Sequence, residues 1–197
     1  MRFVLPILSV ISLLAAASAQ NADCTGQFLI REVNLPATTH LSAEQQADVR
    51  LRLAGRCVDE STLAEVSERV QDAYQNFGYF TVKVEQPELR ILGNLLHPTP
   101  VSLTFRVDEG PVYKLRSIEW NGVKMFRAEE IWKIQPMQPE DVFDTSQVRA
   151  MLDGVRRLYI SSGFPNVSVT PEVTIIKPSG IALTFRVDEG AASSSQP

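Results

Sequence analysis

Two cysteines, two histidines and two tryptophans among 197 residues leave little from which to build a reactive centre. So few sulfur and imidazole groups do not make a convincing four-ligand zinc site. His40 stands just before a helix start and His97 in a Pro-flanked hairpin. Neither has a nucleophile or carboxylate close by in sequence, so both read as solvent-facing loop residues. A basic run is also missing: 19 Lys and Arg stand against 23 Asp and Glu, for a formal net charge of −4. That balance speaks against nucleic acid, whose phosphates need clustered cations, and against anionic lipid. Past the N-terminus no stretch approaches the ~20 apolar residues of a membrane helix. The paired carboxylates Asp108-Glu109 and Asp188-Glu189 remain as candidates for chemistry. Neighbours on a strand point to opposite faces, so they do not converge on a substrate. The expectation is a protein that is not an enzyme, holds no metal and takes no cofactor or small-molecule substrate.

What is present begins with an export signal. Arg2 is followed by an apolar run from Phe3 to Ala17, and Ala17-Ser18-Ala19 has the small-x-small form of a signal-peptidase site. Residues 1–19 read as a cleaved signal peptide, which places the mature chain outside the cytoplasm. There, Cys24 and Cys57 are expected to form a disulfide rather than a metal pair. A bridge over that loop contributes roughly 3–4 kcal/mol in the chain-entropy model. Cys24 lacks the small apolar run that precedes a lipid-acylated cysteine.

The strongest signal is an octapeptide that occurs twice, Leu-Thr-Phe-Arg-Val-Asp-Glu-Gly, at Leu103–Gly110 and Leu183–Gly190. Its spacing implies a folding unit of about 80 residues. Leu, Phe and Val alternate with polar residues, as in a strand with one buried face. Asp-Glu-Gly then reads as a strand end and turn. Each copy is expected to be the last strand of a unit.

The preceding elements also occur twice. Phe28 to Pro36 reads as a strand, and Ser42-Ala-Glu-Gln is a capping box opening a helix with Leu41, Val49 and Leu53 inward, closed by Gly55. A longer helix, capped by Asp59 or Ser61, carries Leu63, Val66, Val70, Ala73, Tyr74 and Phe77 at helical spacing and stops at Gly78. Tyr79 to Gln86 comes next, with Phe80, Val82 and Val84 alternating. The second unit has a strand at Tyr113–Asn121 turned by Gly122, and a short helix from Arg127 to Ile134. A long helix then runs from the cap Asp144 to Gly163, and an alternating strand passes through Val167 and Val169. Gly78 and Gly163 are expected at positive φ. The spacing between the helices and the octamer gives the first unit about five extra residues in its hairpin. Trp120 and Trp132 read as core or inter-repeat residues in preference to partner anchors.

The order β-α-α-β-β twice over resembles the POTRA domain, the polypeptide-transport-associated repeat of outer-membrane assembly barrels and two-partner secretion transporters. The helices ending Tyr-x-x-x-Gly-aromatic (Tyr74 to Tyr79, Tyr159 to Phe164), the closing Glu-Gly, and the seam Val107 to Gly122 carry the resemblance. It implies an α+β fold of two tandem domains, residues 24–110 and 111–190, each a three-stranded mixed sheet with two helices on one face. Residues 191–197 would be a disordered tail. A barrel needs at least eight strands of about ten residues, so none is expected from the short segment after Gly190.

The resemblance further implies a periplasmic scaffold, able to associate with the outer membrane, for outer-membrane protein assembly or secretion. Its partners would be unfolded outer-membrane or secreted proteins, or a separate barrel protein. In the family the strand after the long helix is an edge able to pair with a client strand. Here those edges would be Thr81, Val82, Lys83, Val84 and Glu85, and Asn166, Val167, Ser168, Val169 and Thr170. The alternative is a structural or regulatory envelope module of the division type, without a client-binding role.

Overall fold

The structure, a computed structural model, describes residues 24, 27–93, 98–134 and 136–192. The leader, His97 and the last five residues lie outside that range. The first repeat runs β1 (Phe28–Asn34), α1 (Ala43–Leu53), β2 (Cys57–Val58), α2 (Leu63–Asn76), β3 (Lys83–Val84), β4 (Glu88–Ile91), β5 (Thr99–Thr104) and β6 (Val107–Asp108). The second runs β7 (Lys114–Asn121), α3 (Ala128–Trp132), α4 (Thr145–Ser161), β8 (Ser168–Ile176) and β9 (Gly180–Asp188).

Both sheets place the closing strand inside. The order is β2-β1-β5-β4 in the first and β7-β9-β8 in the second. The closing strand is parallel to the opening one, β1 with β5 and β7 with β9, and antiparallel to its hairpin neighbour. The octamer alternates as its pattern demands: Leu103 and Phe105, Leu183 and Phe185 are buried, and the threonines and arginines between them are not. Val66, Val70, Ala73 and Tyr74 of α2 close over the first core, and Val148, Met151, Val155 and Tyr159 of α4 over the second. The first sheet departs from the expected three strands through β2, which brings Cys57 to Cys24. Their Cα atoms are 5.3 Å apart and the two are joined as a disulfide.

The local helix signals act as their residue types predict. Ser42 accepts from Gln45 N at 3.2 Å while Gln45 Oε1 accepts from Ser42 N at 2.9 Å, a reciprocal box. Asp144 accepts from Ser146 N at 2.8 Å. At α2 the capping is displaced: the N-cap is Thr62, whose own side chain caps nothing, and Asp59 accepts Thr62 N at 3.0 Å one turn earlier. Gly78 and Gly163 stand at φ 94° and 90°, as a helix stop followed by a chain reversal requires.

The hairpin of the first repeat differs from its expected form. The expected strand Tyr79–Gln86 is reduced to the two residues of β3, and its partner octamer is split into β5 and β6. Val84 pairs with Val107 and Glu88 with Thr104, so Glu85, Gln86 and Pro87 face only Phe105 and Arg106. Three residues against two is a bulge, and Pro87 cannot supply a ladder N–H within it. The same octamer runs uninterrupted through β9 because β8 opposes it residue for residue. The bulge supplies one of the five extra residues foreseen in this hairpin. The rest comes from the length of chain between the two strands, 92–98 against 177–179 in the second repeat.

Candidate protein-docking site

In the second repeat the strand after the long helix is an open edge. β8 pairs with β9 from Ser168↔Asp188 to Ile176↔Gly180, and no strand lies on its other side among the described residues. Such an edge offers backbone donors and acceptors to an extended chain. Pro171 decides which residues face outward. Proline has no N–H to give, and an edge strand accommodates it where that nitrogen points away from its neighbour. Backbone direction alternates along an antiparallel pair, so Val169, Val173 and Ile175 turn their N–H and C=O groups outward with Pro171. Ser168, Thr170 and Glu172 turn theirs to β9. Beyond Val169 the strand outruns the helices: Val173 is 38% exposed and Ile175 47%. Ile160 of α4 is exposed as well.

The ends of the octamers hold each repeat together in a way that turn chemistry did not anticipate. Glu109 is buried and its carboxylate accepts from His40 N at 3.0 Å, from His40 Nδ1 at 2.7 Å, and from the Thr39 hydroxyl. Thr39 Oγ1 in turn lies 3.1 Å from the Tyr74 hydroxyl. Glu189 accepts from Lys124 N at 2.7 Å, Met125 N at 2.8 Å and the Tyr159 hydroxyl at 2.9 Å. Each glutamate thus clasps the loop between its repeat's first strand and first helix, beside the tyrosine of the long helix. Burial alone would raise the Glu109 carboxyl, but the bonds from Thr39 and His40 outweigh it and hold it below the usual glutamate range. Glu189 is lowered likewise, burial being outweighed by the Met125 and Lys124 amides. Burial pushes the Tyr74 phenol up to about 12 and raises Tyr159 too, so both stay protonated donors. These are structural clasps: each carboxylate is surrounded by its own chain.

A family model for the POTRA domain, described as a surface antigen variable number repeat, matches residues 113–190, and one described as a ShlB-type POTRA domain matches residues 28–92. The chain carries two POTRA domains in tandem. Among solved structures, POTRA domains 3–5 of BamA from Haemophilus influenzae superpose with a TM-score of 0.58 at 17% identity, covering 84% of this chain and 68% of that one. BamA from Haemophilus ducreyi lacking POTRA domains 1–3 gives 0.59 at 17% identity, covering 82% of this chain but 29% of that one. At such identity the likeness is one of fold.

The edge residues foreseen in the first POTRA domain are scattered. Thr81 lies in a turn and Val82 is buried outside any strand; Lys83 and Val84 form β3, and Glu85 enters the bulge. In the second POTRA domain Ser168, Val169 and Thr170 open β8, Asn166 and Val167 precede it, and the strand continues six residues past Thr170. Val169 is buried while Asn166, Ser168 and Thr170 are exposed. The His40 ring is 79% exposed, as expected, but its Nδ1 is bound to Glu109. Trp120 is half-buried against the second core, whereas Trp132 is 51% exposed and corrects the expectation of a core position.

Phe80 shows the reach of the seam between the two POTRA domains. Expected to alternate with Val82 and Val84 toward its own core, it packs edge-on to Tyr113 at 6.1 Å and to Phe143 at 5.3 Å, in the second core. Gly78 O accepts from Tyr113 N at 2.8 Å. Asn76 Oδ1 accepts from the Thr145 hydroxyl at 2.8 Å and from Arg149 Nη2 at 3.1 Å. The end of α2 is therefore bonded to the start of α4.

Proposed function

We propose that the chain is a non-catalytic periplasmic scaffold for outer-membrane protein assembly or secretion, which binds extended client segments by β-augmentation at β8. The observation that carries this reading is the unpaired outer side of β8, with Val173 and Ile175 exposed beside it. A client strand placed there would bond to outward groups of Val173 and Ile175 and cover their side chains, so affinity would come chiefly from the main chain and tolerate varied sequences. Pro171 interrupts the row of donors, which restrains the same edge from pairing with further copies of itself. The POTRA family and its BamA-like fold support the periplasmic setting and docking onto a separate outer-membrane barrel protein as a second use of the scaffold.

The test is proline substitution at an outward-facing position. Val173→Pro removes a donor that β9 does not use, whereas Ser168→Pro would cut a bond within the sheet and confuse folding with binding. With a urea-unfolded outer-membrane precursor as probe, Val173→Pro should weaken capture about tenfold, the effect of losing one or two interface contacts. Thr174→Ala should change it little. A folded Val173→Pro protein that binds as tightly as the parent would show that this edge is not used.

A further inference from the structure

The two halves of the disulfide are unequally shielded. Cys24 is 3% exposed, whereas Cys57 is half-buried and lines an open cavity of about 280 Å³ between β2 and α2. Val58 and Val66 supply apolar wall, and Arg56, Glu65 and Arg69 stand exposed around them. Cys24 is absent from that wall. Arg56 Nε donates to Arg52 O at 2.5 Å. Arg69 has no hydrogen-bond or ion-pair partner among the described residues, although Glu65 stands one turn away on α2. Two guanidinium groups thus face one carboxylate, and the cavity carries an excess of positive charge. Disulfides exchange by attack of a thiolate on one sulfur, at a rate set by access to that sulfur and by the charges around it.

We propose that Cys57 is a site of reversible S-thiolation by a small anionic thiol admitted through this cavity. The incoming thiolate sulfur bonds to Cys57 Sγ, the Cys57–Cys24 bond breaks, and its electron pair leaves on Cys24 as a thiolate. The reverse attack by Cys24 on Cys57 expels the thiol and restores the bridge. A second thiol molecule instead attacks the first, releasing Cys57 as a thiolate and a small disulfide; the thiol is oxidised and the protein reduced. Arg56 and Arg69 attract the anionic group of the thiol and the negative charge shared by the three sulfurs. They also favour Cys57 as a leaving thiolate, but that route needs attack on Cys24, which its burial closes. Thiolation frees Cys24 from β2, the outer strand of the first sheet. The site lies in the first domain and is independent of whether β8 binds clients.

The experiment exposes the folded, oxidised protein to 2-mercaptoethanesulfonate, 2-mercaptoethanol or cysteamine, which are anionic, neutral and cationic. Each rate is divided by that of the same thiol on hydroxyethyl disulfide, which cancels differences in thiol acidity and nucleophilicity. At low salt the anionic thiol should be favoured over the neutral one about threefold, the factor for two unit charges roughly 6 Å apart in water. The cationic thiol should be disfavoured, and 0.5 M sodium chloride should remove both effects. Arg69→Gln, on an exposed helix face, should leave the fold intact and abolish most of the preference. Early acid quenching, N-ethylmaleimide and mass spectrometry of the digest should place the thiol on Cys57 and the maleimide on Cys24. Adducts mainly on Cys24, or a charge preference unchanged in Arg69→Gln, would overturn the inference. So would a disulfide that reacts with none of the thiols until the protein is unfolded.

Discussion

Glu109→Ala and Glu189→Ala make the same substitution in two identical octapeptides, and the structure predicts unequal costs. Glu109 has a side chain only 8% exposed, and its removal strips the acceptor from the Thr39 hydroxyl, the His40 amide and the His40 ring. Bonds to a charged group contribute about 1.5–3 kcal/mol net, and a donor left buried without a partner costs about 1–3 kcal/mol. Since such terms are not additive, a loss of about 3 kcal/mol is expected. Glu189 is less enclosed: two of its donors are amides of the exposed residues Lys124 and Met125, and only the third, the Tyr159 hydroxyl, belongs to a buried residue. Water replaces it more easily, so about 1–2 kcal/mol is expected there. Urea unfolding monitored by far-UV circular dichroism measures both. Trp120 and Trp132, the only tryptophans, lie in the second repeat, so fluorescence separates the domains. A pH series adds a second check. The folded Glu109 carboxyl lies below its unfolded value, so its contribution is complete above about pH 5 and declines as pH falls through the folded pKa. Glu109→Gln should flatten that decline. Equal costs at the two glutamates, or a larger one at Glu189, would refute the clasp as the reason for the difference.

Two further outcomes are expected. Gly78→Ala should destabilise by about 1–2 kcal/mol, because its φ is positive and a Cβ there would collide with Val142 Cγ1 and sit 3.1 Å from Val112 Cγ1. Adding Val142→Ala should recover part of that loss but not the φ cost, measured by thermal unfolding of the single and double variants. The oxidised protein should show no titratable thiol after denaturation alone, and reduction should lower stability by roughly 3–4 kcal/mol. Two thiols titrating without reductant would rule the bridge out.

Much of the fold was legible because its signals are short-range. The capping box at Ser42, the positive φ at Gly78 and Gly163, the helical spacing of Val66 to Tyr74 and the alternation within the octamer all act within a few residues. The candidate site was only partly legible. Val169 and Ser168 were foreseen on an edge, but the strand's extension to Ile176 depends on how far β9 pairs with it. Thr81 to Glu85 alternate as well as any strand, yet the bulge opposite Phe105 and Arg106 breaks the ladder. Glu109 and Glu189 were visible as carboxylates; the signal that would have found them is their recurrence after each Tyr-x-x-x-Gly helix.

The sequence by itself determined the repeat, the element order, the disulfide pair and the inward faces, because propensity, capping and periodicity are properties of neighbours along the chain. Only the tertiary structure decided that identical octamers pair differently, that Phe80 leaves its own core for the next one, and which backbone groups of β8 and β7 remain unpaired. The physical reason is distance along the chain. Residues tens of positions apart meet only when sheets register and domains dock, and an unpaired edge is defined by what is not beside it.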